Sequence, residues 1–280
     1  MNIKRRHLFE FEDLSWFPDS WRKYITEILT QQINSFRVYE PIVPLLEKVI
    51  RETNHSQVFD LCSGSSGPIL SIMDDIRDRE IKVAVTLTDK YPNTKIFETI
   101  HKQSQGKIEF IRDSVDAISF PRNLRGVRTL FSSFHHFKPQ QAKAILQAAV
   151  DDEMPICIFE FTERKLANFL KVILFGLPLV WLTTPLVRPF KFSRLFWTYL
   201  IPVVPVIYCW DAFVSHLRTY TTEELKQMIA AISDDNSYHW ELGKVKSPKS
   251  GFTLTYVVGY KSDSSQSRDS LGARDFASVG

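Results

Sequence analysis

From residue 58 to residue 161 the sequence alternates short apolar runs with longer helical patterns, and this alternation limits the fold more than any other feature. The strand-like runs are VFDLC (58–62), IKVAVTLTD (81–89), IEFIRD (108–113), VRTLFSSF (127–134) and PICIFEF (155–161). Between most of them lie PILSIMDDIRD, TKIFETIHKQ and KPQQAKAILQAAV, the last opened by Pro139. Antiparallel neighbours can be joined by a tight hairpin, whereas parallel neighbours need a crossover of about a dozen residues or more, usually a helix. The pattern therefore predicts an α/β fold with a doubly wound, mainly parallel sheet covered by helices on both faces. Two closing runs, WELGKVK and FTLTYVVGYK, lie close enough to pair as an antiparallel terminal hairpin, which brings the expected sheet to seven strands. Before them, TYTTEELKQMIAAI carries Thr221 and Glu224 at capping-box spacing.

Three segments fall outside this alternation. Residues 1–53 are expected to form an N-terminal helical cap, with Trp21, Ile25, Ile28, Leu29 and Ile33 at helical spacing in DSWRKYITEILTQQINS. A second helix follows in EPIVPLLEKVIRET, where Pro41 and Pro44 sit near its start and their missing amide protons are tolerated. Within the α/β domain (54–262), residues 164–212 form an apolar helical insertion. Its first run, 166–187, holds a single charge, Lys171, and has about the length needed to cross a bilayer, roughly 20 residues. After the basic bridge RPFKFSR, a second run at 195–210 is interrupted by Pro202 and Pro205. A membrane-entering hairpin, an interfacial anchor, an apolar cap over a site and a buried helical insertion all fit this pattern. In the first two, Arg188, Lys191 and Arg194 are expected to meet anionic headgroups. The polar, aperiodic tail 263–280 is expected to be disordered.

Composition excludes several classes. With 44% hydrophobic and 24% charged residues in 280, the chain is globular in character. Lys+Arg 35 against Asp+Glu 32, without a dense basic stripe, argues against a nucleic-acid partner. The basic opening MNIKRRH is followed by acidic and aromatic residues, which argues against a secretory signal. Cys62, Cys157 and Cys209 are widely spaced, so they read as reduced thiols of a cytoplasmic protein, and no zinc-ligand spacing predicts a metal.

In an open parallel sheet, ligands bind at the carboxyl ends of the strands. After the first run come Asp60 and the turn CSGSSG, in which Gly64 and Gly67 permit close backbone approach ahead of a helix N-terminus. Such a turn suits a carboxylate or a phosphate, and it also serves as an ordinary tight connection. Cys62 stands where a GxGxxG pattern has its first glycine. After the second run, Asp89 suits a bidentate grip on two ribose hydroxyls, or a helix cap. After the third, Asp113 and Ser114 are placed for an exocyclic amine or a ring edge, or for a surface turn. After the fourth comes SSFHHFKP.

These stretches, VFDLCSGSSGP, TLTDKYPN, FIRDSVDA and RTLFSSFHHFKP, resemble in order and spacing the successive motifs of class I S-adenosylmethionine-dependent methyltransferases. The resemblance covers roughly residues 39–261 without the insertion, and the closing hairpin is similar to that of the seven-stranded family fold. It implies S-adenosyl-L-methionine as cofactor, with Asp60, Cys62, Ser63 and Gly64 beside its methionine part. It also implies Asp89 on the ribose, Lys90 and Tyr91 near the adenine, and Asp113 and Ser114 reaching the adenine. Ser132, Ser133 and Phe134 would border the sulfonium. Cys62 departs from the family pattern. A nicotinamide dehydrogenase is the natural competitor, and the terminal hairpin and the missing first glycine weigh against it.

Methyl transfer from a sulfonium is an in-line displacement, so the protein mainly aligns the acceptor and excludes water. A base is needed only where the acceptor must lose a proton, and His135 and His136 are the candidate catalytic residues. Glu160, Glu163 and the stretch YCWDAFVSHLRTY, with Trp210, Asp211, His216, Arg218 and Tyr220, are further acceptor-side candidates. The greasy insertion favours a small hydrophobic or lipid-like acceptor and peripheral membrane contact through 165–210. The expected function is methyl transfer to such an acceptor. The alternative is a non-catalytic scaffold of the same fold that binds a membrane surface or a partner.

Overall fold

Strands β1 (Gln57–Asp60), β2 (Ala84–Leu87), β3 (Ile108–Phe110), β4 (Val127–Phe131), β5 (Ile156–Glu160), β6 (Tyr238–Lys246) and β7 (Thr253–Lys261) form one sheet in the order β3-β2-β1-β4-β5-β7-β6. The first five run parallel, and β7 enters antiparallel between β5 and β6. The computed structural model describes residues 3–64, 67–233, 237–248 and 251–261. The expected disordered tail 263–280 lies outside the described residues, as do Ser65 and Ser66 of the first turn.

The parallel strands end before their sequence runs do, and for two of them the reason is local. Cys62 (φ 58°) and Ser132 (φ 45°) adopt left-handed backbone, which cannot continue a strand and so ends β1 and β4 on their carboxyl sides. The strand order reverses between β1 and β4, which opens a crevice at their carboxyl ends.

Helices α2 (Val43–Glu52), α3 (Ile69–Arg77) and α4 (Thr94–Gln103) cover one face. Their buried residues, among them Val49, Ile72, Ile76 and Phe97, join Val58, Val85 and Ile108 of the sheet in one core. In α3 the buried Ile69, Ile72, Met73 and Ile76 follow the helical spacing that makes a single apolar stripe. On the other face, α5 (Pro139–Asp151) and α9 (Thr222–Ala230) bury Ala142, Ile145, Leu146 and Leu225 against Leu130 and Ile158. The Thr221–Glu224 capping box is formed, with reciprocal bonds of 3.2 and 2.9 Å. The second N-terminal helix differs from expectation: a 3-10 turn at Glu40–Ile42 precedes α2. Pro44 lacks the amide hydrogen that would reach the Glu40 carbonyl, so a continuous helix is broken there.

The N-terminal helices divide their packing between the sheet and the insertion. While α2 belongs to the sheet core, α1 (Asp19–Ser35) packs on the insertion, where its Ile25 and Ile28 meet Val180, Val204 and Ile207. The insertion consists of α6 (Leu166–Thr183), a 3-10 turn at Thr184–Leu186, α7 (Phe192–Leu195) running into a single π-helical turn at Phe196–Leu200, and α8 (Val203–Arg218). It extends past residue 212, because YCWDAFVSHLR is continuous with α8. Helices α6 and α8 approach closely at Gly176, where a Cβ would lie 2.7 Å from Cys209 Sγ. Arg194 is 1% exposed and pairs with Glu27 of α1 at 2.7 Å, and Lys191 pairs with the same carboxylate at 2.6 Å. Neither is therefore placed for lipid headgroups, contrary to expectation, because α1 supplies the counter-charge from inside the fold.

Candidate active site

Asp60 ends β1 with its side chain 3% exposed, and Thr129 Oγ1 donates to its Oδ1 at 3.1 Å. Its carbonyl oxygen receives Thr88 N at 2.9 Å, Thr88 Oγ1 at 2.9 Å and Ser63 Oγ at 2.8 Å. Burial raises the Asp60 carboxyl to about 7, against the hydroxyls of Ser63 and Thr129, which favour the charged form. The chain then turns through left-handed conformations at Cys62 and at Gly64 (φ 52°). At the first, a glycine would be free of strain and a cysteine costs about 1–2 kcal/mol. Burial, with Asp89 and Asp60 nearby, keeps the Cys62 thiol protonated, so it is not a nucleophile.

Asp89 is the hub of the crevice rim. Gly64 N donates to its Oδ2 at 2.8 Å and Tyr91 N to its Oδ1 at 2.7 Å, while its own carbonyl accepts Val115 N at 2.9 Å. The turns after β1, β2 and β3 thus meet on one residue. Among the described residues each carboxylate oxygen holds a single N–H and keeps a lone pair for a further donor, which fits a vicinal diol. Beside it, Ser114 Oγ donates to the Lys90 carbonyl at 2.7 Å, and Lys90 Nζ pairs with Asp116 at 2.7 Å. The Tyr91 ring is 81% exposed over this rim, and Asp113 is exposed. The helix-capping role considered for Asp89 is filled instead by Asn93, whose side chain accepts from Ile96 N at the start of α4.

After β4 the chain is held by a carboxylate from β5. Glu160 Oε1 accepts Phe134 N at 2.8 Å and His135 N at 3.2 Å, and its Oε2 accepts His135 Nδ1–H at 2.8 Å. His135 is 3% exposed, and its Nε2 has no partner among the described residues. With the proton on Nδ1, Nε2 is a buried lone pair. Phe134 turns away from the rim into the core, packing on Tyr220 at 5.8 Å. Ser132 Oγ bonds the buried Tyr39 hydroxyl at 2.5 Å and accepts Phe161 N at 3.3 Å.

His136 faces the N-terminal segment instead. Residues 3–17 run as a strap over α8 and the turn after β4: Arg5 Nη2 donates to the carbonyls of His135 and Phe137 at 3.1 and 3.0 Å. Arg6 N reaches the Leu217 carbonyl at 3.1 Å, and Asp211 accepts Phe11 N at 2.7 Å. Burial alone would lower the His136 pKa, but Asp13 at 3.2 Å and Glu10 outweigh it and raise it to about 9. Glu10, His135 and His136 present ligand-type atoms within 4.8 Å of one another, but Arg218 Nη1, 3.2 Å from Glu10 and 2.7 Å from Asp13, already brings a cation to that cluster.

The structure therefore brings together Asp60, Cys62, Ser63, Gly64, Asp89, Lys90, Tyr91 and Ser114 around one rim, with Ser132 and Ser133 on its β4 side, while the buried His135 ring lies against Glu160 and beside Glu10 and His136. It separates the two histidines by partner: Glu160 holds one, and the strap holds the other. Glu163 is taken by Lys244 and Lys165 at 2.6 and 3.0 Å, and His216 Nδ1 lies 2.9 Å from the Glu163 carbonyl. Sequence reasoning missed Tyr39, Thr88, Thr129, Asp116 and the strap residues Arg5, Glu10 and Asp13. Only Asp116 carried a signal, the acid-to-helix spacing of VDAIS, which it satisfies by capping Ile118 N at 3.0 Å.

Comparison with protein-family models and with curated proteins finds no match. Solved structures do resemble the chain. The pyocyanin biosynthetic protein PhzM aligns with a TM-score of 0.50 at 11% identity, over 91% of this chain and 62% of its own. The methyltransferase domain of a bacterial Hen1 aligns at 0.48 and 10% identity, over 81% of this chain and 100% of its own. PigF, solved with SAH, aligns at 0.47 and 16% identity, over 89% and 62%. The chain thus spans less than two thirds of two of these three proteins. With the strand order, the likeness to PhzM establishes the expected fold: a Rossmann-like methyltransferase fold with its antiparallel terminal hairpin.

Proposed function

We propose that the chain is an S-adenosylmethionine-dependent methyltransferase acting on a small hydrophobic acceptor. The observation that carries this reading is the Asp89 carboxylate, fixed by Gly64 N and Tyr91 N at the rim where the turns after β1, β2 and β3 meet. The ribose diol of the donor fits the two remaining lone pairs, and the bare turn at Cys62–Gly64 leaves room for the methionine part against backbone. Antiparallel β7 inside the sheet distinguishes this crevice from an all-parallel dinucleotide-binding sheet.

Bound there, the donor supplies an activated methyl group. The chain's own residues orient the acceptor and exclude water. His135 Nε2, unpaired and buried, is the proposed acceptor of a proton when the substrate is a hydroxyl or an amine. Glu160 keeps the proton of that ring on Nδ1. The apolar insertion rises from Lys165, just past the end of β5, and returns at Arg218 beside the turn after β4, so its roots, where Phe169 packs on Phe213, border the acceptor side. That wall supports a hydrophobic acceptor.

Calorimetry with S-adenosylmethionine tests the reading. Wild type binds, and Asp89→Ala binds at least about tenfold more weakly, the loss expected for hydrogen bonds to a charged group. Absence of binding to both proteins leaves the non-catalytic scaffold as the better account.

A further inference from the structure

The insertion is apolar on the outside. Leu166–Leu186 is long and apolar enough to cross a membrane, yet only 22% of its most apolar stretch is buried. A core helix would be covered, so the buried-insertion alternative is removed. Only a narrow stripe of α6, Phe169, Gly176, Val180 and Thr183, faces the protein. Leu174, Leu182, Leu186, Phe192 and Leu200 are 62, 75, 57, 81 and 72% exposed. Apolar surface on this scale marks an interaction site.

Three observations select the occupant. First, from Lys165 to Trp210 the sequence contains no Asp or Glu but five cations. Glu27 neutralises Lys191 and Arg194, and Lys165 pairs with Glu163, while no ion pair among the described residues engages Lys171 or Arg188. An apolar face fringed by unbalanced positive charge complements an anionic lipid surface. Second, Trp181 and Tyr199 are 42 and 48% exposed on the same hairpin, the side chains favoured at the headgroup boundary. Third, the hairpin cannot simply span a bilayer. Phe192–Leu200 and Val203–Arg218 meet at 77°. The polar helix α1 is also fastened along one side through Gln32–Thr183 (2.8 Å), Tyr24–Ser193 (2.7 Å) and Glu27–Arg194 (2.7 Å).

We infer that the exposed face of this hairpin lies in one leaflet of a membrane carrying anionic lipids, as a one-sided interfacial anchor. On the methyl-transfer reading, this places the acceptor side of the crevice next to the leaflet, so the acceptor class is a lipid-dissolved molecule.

Flotation of the full chain with vesicles tests the anchor. With vesicles of phosphatidylcholine and phosphatidylglycerol the protein floats, and with phosphatidylcholine alone it floats less. The variant Leu182→Glu/Leu186→Glu/Leu200→Glu changes only exposed positions, so its unfolding midpoint stays at the wild-type value while the floated fraction falls at least about tenfold. Equal flotation of variant and wild type, or no flotation of either, overturns the inference. So does a wild-type dimer, without vesicle binding, that the same variant turns into monomer, since the occupant is then a second copy. The assay needs neither donor nor acceptor, so its failure leaves the donor reading standing.

Discussion

His135 donates through Nδ1 to Glu160 at 2.8 Å, and the same carboxylate binds the backbone amide of His135 at 3.2 Å. One β5 side chain therefore fixes both the position and the tautomer of a ring on the turn after β4. Removing the charge tests which matters more. Glu160→Gln keeps an oxygen for the two amides but offers N–H to Nδ1, which moves the ring proton to Nε2. Stability is expected to fall by about 1–3 kcal/mol in urea unfolding. Single-turnover methyl transfer to an acceptor that loses a proton is expected to slow by about 10²–10⁴-fold, with an altered pH profile and unchanged donor affinity. An unchanged rate would remove His135 from the reaction.

Cys62 holds φ 58° with a side chain that gains nothing from it chemically. Cys62→Gly is expected to raise stability by about 1 kcal/mol in thermal unfolding, since strain relief outweighs the lost thiol packing. Calorimetric donor affinity should stay within about threefold of wild type, because the turn contacts a ligand through backbone groups.

Stability should decline from pH 6.5 to pH 9. His136 is raised from 6.5 to about 9, so its contribution is complete below 6.5 and is lost as pH rises through 9. Burial raises Asp60 and Asp211 to about 7, so the fall in stability that they cause begins near the ordinary carboxylate range, ends as they ionise near 7, and only its last part lies above pH 6.5. Burial lowers His7 and His216 to about 4; they add stability as pH rises to 6.5 and contribute no slope above it. After allowance for solvent screening, the drop is roughly 1–2 kcal/mol, or about 3–6 °C by calorimetry. His136→Gln should flatten the curve above pH 7.

The sheet was legible because each of its features is local. Period, crossover length and the closing pair of strand runs are all written within short windows of sequence. Asp89 was legible for the same reason, since its place follows from the end of one strand. The strap was not. Arg5, Glu10 and Asp13 gain their roles from α8 and from the turn after β4, at sequence separations of 82 to 213 residues among the contacts involved. Nor could the sequence say that Glu27 neutralises Lys191 and Arg194, because that pairing depends on how α1 lies against the insertion.

Thr162 and Thr219 stand at the two roots of the hairpin, their hydroxyls 2.6 Å apart. Everything between them leaves the sheet and comes back to nearly the same point. Such an excursion resembles an accessory plugged into a socket: shortening it, or replacing it with a tight connector, asks nothing of strand order or register. On the proposed function, the methyl-transfer platform and the membrane-facing hairpin then change independently of each other.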